Sequence, residues 1–287
     1  MGTEWQSRIK QGYPIQEKAP NGSCLKGQWR RAFERMHDNL LRILEIETQS
    51  EALEVLVQYY PPLAPTLEEY ERLLGLPLVE LAQYFHQDQS PSWTTIAGLL
   101  RVVYLEQRLC QLQEDEEWPA VMNALGLLLY AILLFPRMED YVDLTAMEVF
   151  VAKKDRGENP TTAVLANTYY TLSHCGEQKG GTLRCCTPLL YLWLTSHFFH
   201  CKNKTTFPIE DFKWSWIRPM TKEAWVRKLD EASERTVRWY PPWNEREHMI
   251  IKCGGYLNVP LLGTQGAINY NPELVVRQAG YPMIRPP

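Results

Sequence analysis

The chain has 287 residues, 45% of them hydrophobic and 22% charged, with a formal net charge of -4. That apolar share can fill a substantial core, and the near-neutral balance excludes the broadly basic composition of a nucleic-acid coat. The charge is uneven: residues 200–287 hold 13 Lys/Arg against 9 Asp/Glu and residues 1–199 hold 17 against 25, so an anionic partner is expected at the C-terminal third.

Residues 1–24 mix Gly, Pro, Lys and Gln without periodicity, which predicts a flexible lead-in to one globular domain over 25–287, with a change of character near 202. Trp29, Phe33, Met36, Leu40, Leu41, Ile43, Leu44 and Ile46 recur at helical intervals, and Leu53, Leu56 and Val57 resume after Thr48-Gln49-Ser50. This spacing predicts two consecutive helices ending at Tyr60-Pro61-Pro62. Next, Thr66 and Glu69 form a capping box, and Leu67, Tyr70, Leu73 and Leu74 share a face. Glu68, Glu69, Glu71 and Arg72 are expected towards solvent, with Gly75 as a left-handed cap and Pro77 as a stop. A second short helix over Leu78 to His86 would resemble a helix-turn-helix, but it has no Lys or Arg with which to read DNA.

Ile96, Leu99, Leu100, Val103 and Tyr104 predict an amphipathic helix from Trp93 to Gln113, followed by the acidic connector 114–117. Trp118 to Phe135 reads as the central buried helix. Its apolar run from Ala124 stops at Pro136, short of the roughly 20 residues needed to span a bilayer. Further helices are expected over Asp140 to Lys153, Thr161 to Ser173 and Pro188 to Cys201, with loops at 153–160 and 176–181. Beyond 202, Thr221 to Ala232 and Asn271 to Gly280 read as helices, whereas Val237 to Tyr240 and His248 to Ile251 have strand-like composition. The expected fold is mainly α, a compact multi-helix domain with a few short strands or hairpins in the C-terminal third.

The segment LAPTLEEYERLLGLPL (63–78) resembles the signature of the plant mobile domain group, in particular a branch found beside retrotransposon genes. Blocks starting at Glu117, Cys185, Val237 and Asn258 agree with it in order, so the resemblance spans about residues 28–282. It implies a nuclear, mobile-element-related protein without a catalytic residue set. The chain departs from the pattern in lacking a Phe-containing segment before Leu63.

Several constellations carry chemistry on paper. Cys185, Cys186, His197, His200 and Cys201, with His174 and Cys175 nearby, supply zinc-type ligands, although their spacing fits no standard zinc pattern. Asp140, Asp143 and Glu148 would suit two-metal nuclease chemistry, but the two aspartates flank a helix start and read better as caps. The wider group is sometimes called aminotransferase-like; Lys222, Lys228 and Lys252 lack the context of a pyridoxal phosphate lysine, and Gly254-Gly255 and Gly263 to Gly266 read as turns. Lys213, Trp214, Trp216, Arg218, Arg227, Lys228 and Arg238 combine aromatic and basic groups as single-strand nucleic-acid binding requires.

Seven unevenly spaced cysteines and the want of a signal sequence favour a reduced intracellular compartment, nuclear by the resemblance. The expectation is therefore a non-enzymatic interaction or scaffold protein, without cofactor or membrane association, that binds an unidentified protein partner. The alternatives are nucleic-acid binding through the C-terminal Trp/Lys/Arg region or a cryptic metal-dependent nuclease or transposase remnant.

Overall fold

The computed structural model describes residues 9–11, 25, 27–59, 64–76, 84, 102–137, 142–178, 180–201, 205–215, 217–232, 236–238, 241–244, 252–253, 256–257, 259–263 and 266–270. The expected helix over 78–86, the start of the helix over 93–113, the strand over 248–251 and the closing helix at 271–280 lie outside these residues, Tyr84 excepted.

The fold is mainly α. Its helices are α1 (Gly27–His37), α2 (Leu40–Leu44), α3 (Ser50–Leu56), α4 (Leu67–Leu74), α5 (Val102–Glu114) and α6 (Trp118–Leu129). They continue as α7 (Leu144–Arg156), α8 (Thr161–Glu177), α9 (Thr187–Phe198), α10 (Pro208–Lys213) and α11 (Lys222–Asp230). Strand β1 (Ile9–Gln11), inside the expected lead-in, pairs in parallel with β2 (Gly181–Leu183). Two antiparallel hairpins, β3 (Lys252–Cys253) with β4 (Tyr256–Leu257) and β5 (Val259–Gly263) with β6 (Gly266–Tyr270), occupy the C-terminal third. Gly263 pairs with Gly266 at the end of the second hairpin ladder. Among the described residues no helix is long and apolar enough to cross a membrane.

In the expected central helix Trp118, Pro119, Ala120, Met122, Asn123, Ala124 and Leu127 keep some exposure, whereas every residue of α9 is buried, so this helix is enclosed on all sides. Its uniformly apolar perimeter, Leu189, Leu190, Tyr191, Leu192, Trp193 and Leu194, requires neighbours all round, and α4, α3 and α10 supply them. Among the described residues beyond 202, those from 218 to 230 pack back onto the N-terminal helices. Gln49 Oε1 accepts from Met220 N at 2.9 Å and from Trp225 Nε1 at 3.1 Å, Lys222 Nζ donates to Glu54 at 2.9 Å, and α11 thereby lies on α3.

Local chemistry explains where the helices stop. The stretch 27–56 forms three helices instead of the expected two, because Asp38 sits at φ 46° and ends α1. An aspartate tolerates this left-handed state better than most side chains. Asp143 caps α7 by accepting from Thr145 N at 2.7 Å, and Gly157 at φ 69° closes it, so the loop expected from 153 begins only at 157. Val237 and Arg238 form no strand. Phe135 N donates to Tyr130 O at the end of a π-helical turn over Tyr130–Leu134 that continues α6.

Gly126 of α6 is fixed by packing. A Cβ there would stand 2.6 Å from Phe150 Cε2 and 3.2 Å from His37 Nε2. Gly126→Ala is therefore expected to lower stability by about 1–3 kcal/mol, although alanine favours helix by roughly 1 kcal/mol. Urea unfolding measures the balance, and a stabilised variant would refute the overpacking.

His37 itself lies among Phe33, Tyr130 and Phe150, with ring centroids at 4.6, 5.6 and 6.1 Å. Burial, reinforced by the charge on Lys153, pushes its pKa down to about 3 from 6.5. The imidazole is thus neutral when folded and takes up a proton when unfolded. Stability is present in full above the unfolded value and falls as pH drops from about 6.5 towards 3, with a slope of up to about 1.4 kcal/mol per pH unit. His37→Leu should flatten the pH dependence of the urea midpoint in that window; an unchanged slope would assign the acid sensitivity elsewhere.

Candidate functional site

The capping box at the start of α4 reaches into the core. Thr66 N donates to Glu69 Oε2 at 2.8 Å and Glu69 N donates to Thr66 Oγ1 at 3.2 Å. The same Oε2 accepts from Trp193 Nε1 of α9 at 2.8 Å, and His197 Nε2 lies 3.2 Å from Oε1. Glu69 is only 6% exposed, a correction to its expected place in solvent. Turning back to cap the helix brought its carboxylate under Trp193 and His197. Burial alone would raise its pKa, but the adjacent His197, with the bonds from His197, Thr66 and Trp193, outweighs it and holds the carboxyl below its ordinary value.

The network continues through α9 to α10. His197 Nδ1 is 2.8 Å from the carbonyl oxygen of Arg238, which can only accept, so Nδ1 carries a proton. Arg238 N donates to His197 O at 2.8 Å. The Arg238 guanidinium grips Asp211 with both arms, Nη1 to Oδ2 at 2.8 Å and Nη2 to Oδ1 at 3.0 Å. Asp211 is 0% exposed and the Arg238 side chain 11%. Four ionisable side chains therefore tie α4, α9, α10 and the 236–238 segment together. The Glu69 and Asp211 carboxylates are enclosed and already bonded, so this arrangement holds the helices to one another.

The candidate zinc ligands are not brought together. Cys185 and Cys186 are buried in the turn leading into α9, and His197 is committed to Glu69 and Arg238. His200 is exposed, and Cys201 pairs as an isolated bridge with Ser215. Burial pushes the Cys186 thiol up to about 12 and the Cys185 thiol higher, the latter with help from Cys186 and Cys175, so both remain protonated. Among the described residues no three of His, Cys, Asp or Glu converge as metal ligands.

The acidic set is likewise divided: Asp143 caps α7 and pairs with Arg137, while Glu148 accepts from Tyr84 Oη at 3.1 Å. Asp140 and Gly254-Gly255 lie outside the described residues. Lys222 is held by Glu54, and Lys228 stands 4.5 Å over the Phe199 ring.

Of the aromatic and basic set, Trp214 is 61% exposed, and Lys213, Arg218 and Arg227 are also on the surface. Arg238 is removed from that set by its buried fork on Asp211, while Trp216 lies outside the described residues. Trp225 and Trp243 belong to the core.

A feature without a local sequence signal is a groove of roughly 440 Å³ where the α1–α2 turn, the end of α4 and the lead into α10 meet. Asp38, Arg42, Arg72, Gly75, Phe207 and Trp243 line it. Arg42 and Arg72 are exposed and form no ion pair among the described residues. Phe207 is 60% exposed, and Trp243 Nε1 is buried without an acceptor among the described residues. Burial raises the pKa of Asp38, opposed by Arg42 and Lys153. Gly75 is required here twice over: its φ is 76°, and a Cβ would stand 2.5 Å from Asp38 Oδ1.

These features define a mainly helical domain with an ion-paired interior and a groove of mixed charge. The chain belongs to the family described as a domain of unknown function (DUF7745), whose model matches residues 21–103 and 100–287. No curated protein and no solved structure matches it.

Proposed function

We propose that the chain is a non-enzymatic interaction or scaffold protein related to plant mobile elements, acting in nuclear genome maintenance or silencing. The observation that carries this reading is where the chemistry goes. Four ionisable groups of the interior, Glu69, His197, Asp211 and Arg238, bond one another across helices, while Phe207 and Trp214 are left outside. Large exposed aromatics are the usual anchors of binding surfaces. The nuclear, element-associated part rests on the plant mobile domain resemblance of the 63–78 segment and the later blocks. The test is a pull-down of the tagged chain from plant nuclei with and without nuclease. Protein partners that survive nuclease support the scaffold, and loss of every partner refutes it.

A second reading is favoured by Trp214 standing exposed with Lys213 beside it and Arg218 and Arg227 also on the surface: single-stranded nucleic acid stacked on the indole. Its signature is an affinity that falls steeply with salt and is lost in Trp214→Ala. Salt-independent binding would refute it.

A further inference from the structure

We propose that the groove lined by Arg42, Arg72, Phe207 and Trp243 is the docking site for an extended partner peptide that places an acidic side chain beside an apolar one. This rests on the interaction-protein reading and adds to it a location and a partner chemistry.

Two guanidiniums from different helices, α2 and α4, border the same groove, and neither has a carboxylate within ion-pair distance among the described residues. A planar fork of this kind is matched best by a carboxylate. Trp243 adds a large, nearly buried indole to the lining. Phe207 offers an exposed ring at the groove's edge, with Pro208 buried behind it, as the contact for an apolar side chain. A volume of roughly 440 Å³ holds a few side chains.

The carboxylates decide between classes of partner. Glu34, Asp38 and Glu71 share the groove with the two arginines. A nucleic-acid backbone, with a charge at every phosphate, would be driven against them. A peptide can set one acidic side chain against Arg42 and Arg72 and turn backbone N–H groups towards Asp38.

The experiment pans the full chain against a random peptide library at physiological salt, then measures a synthetic peptide of the enriched sequence by fluorescence anisotropy. The expected consensus has Asp or Glu next to an aromatic or aliphatic residue. Binding of that peptide should weaken by roughly tenfold or more in the double variant Arg42→Glu, Arg72→Glu. The loss should be smaller in Arg42→Gln, Arg72→Gln and absent in Arg108→Glu, a control on α5. The five substitutions fall at three exposed positions, Arg42, Arg72 and Arg108, and should leave the circular dichroism spectrum unchanged, which is checked first.

No enrichment, a consensus without acidic residues, or a double variant that binds as wild type overturns the proposal. So does displacement of the peptide by single-stranded DNA whose own binding depends on Arg42 and Arg72. If the charge-reversed chain keeps its nuclease-resistant nuclear partners, the groove assignment alone fails. If the wild-type chain has none, the interaction reading beneath it fails.

Discussion

Asp211→Ala is expected to destabilise the protein by about 3–5 kcal/mol, because it leaves the Arg238 guanidinium charged and enclosed without its carboxylate. The pair is bidentate, and Asp211 has no exposed surface from which water could compensate. Arg238 also donates to Phe199 O at 3.3 Å, and its backbone holds both the N–H and the carbonyl contact with His197. A displaced Arg238 would therefore loosen the end of α9 as well. The double variant Asp211→Leu, Arg238→Met should recover most of the loss, since a buried ion pair contributes little over a well-packed apolar pair of similar size. Urea unfolding of wild type, Asp211→Leu, Arg238→Met and the double variant in a double-mutant cycle gives the coupling. An Asp211→Ala loss below about 1 kcal/mol would show that the charge is relieved in another way.

Glu69→Ala is expected to cost about 3 kcal/mol, the sum of a lost helix cap and a buried indole N–H left without an acceptor. Glu69→Gln should cost less, because its amide oxygen can still accept from Thr66 N and Trp193 Nε1. The two variants also differ from wild type in their response to acid. The folded carboxyl titrates below its unfolded value of about 4.5, so its contribution is complete above that pH and is lost as pH falls through the lower folded value. Both substitutions should remove that part of the acid dependence and leave the higher window set by His37 intact. Equal stabilities of Glu69→Ala and wild type, measured by urea unfolding at neutral pH, would end this account.

The sequence declares what neighbouring residues decide among themselves. Thr66, Glu69 and Gly75 announce both ends of α4, and the structure has the full capping box and the left-handed Gly75. The same local logic places Asp143 as a cap and Thr221 at the start of α11. It misplaces what depends on distant chain. Glu69 reads as a surface charge because its partners, Trp193 and His197, are more than a hundred residues away. Arg238 sits in a run of basic and aromatic residues and reads as a ligand for phosphate, yet Asp211 claims it. His197, His200 and Cys201 share a helical spacing that suggests coordination, but α9 ends at Phe198, so the three are not on one continuous helix. The groove could not be read at all, since it joins residues near 40, 72, 207 and 243 that come together only in the folded chain.

The sharing of one carboxylate between a helix terminus and the interior has a kinetic meaning. In most proteins a capped helix can fray at its start without disturbing distant contacts. Here the first turn of α4 cannot open unless Trp193 and His197 give up the Glu69 side chain at the same moment. Amide hydrogens of that turn should therefore exchange with solvent at the rate of whole-domain opening, making an ordinarily weak spot one of the slowest reporters in the molecule.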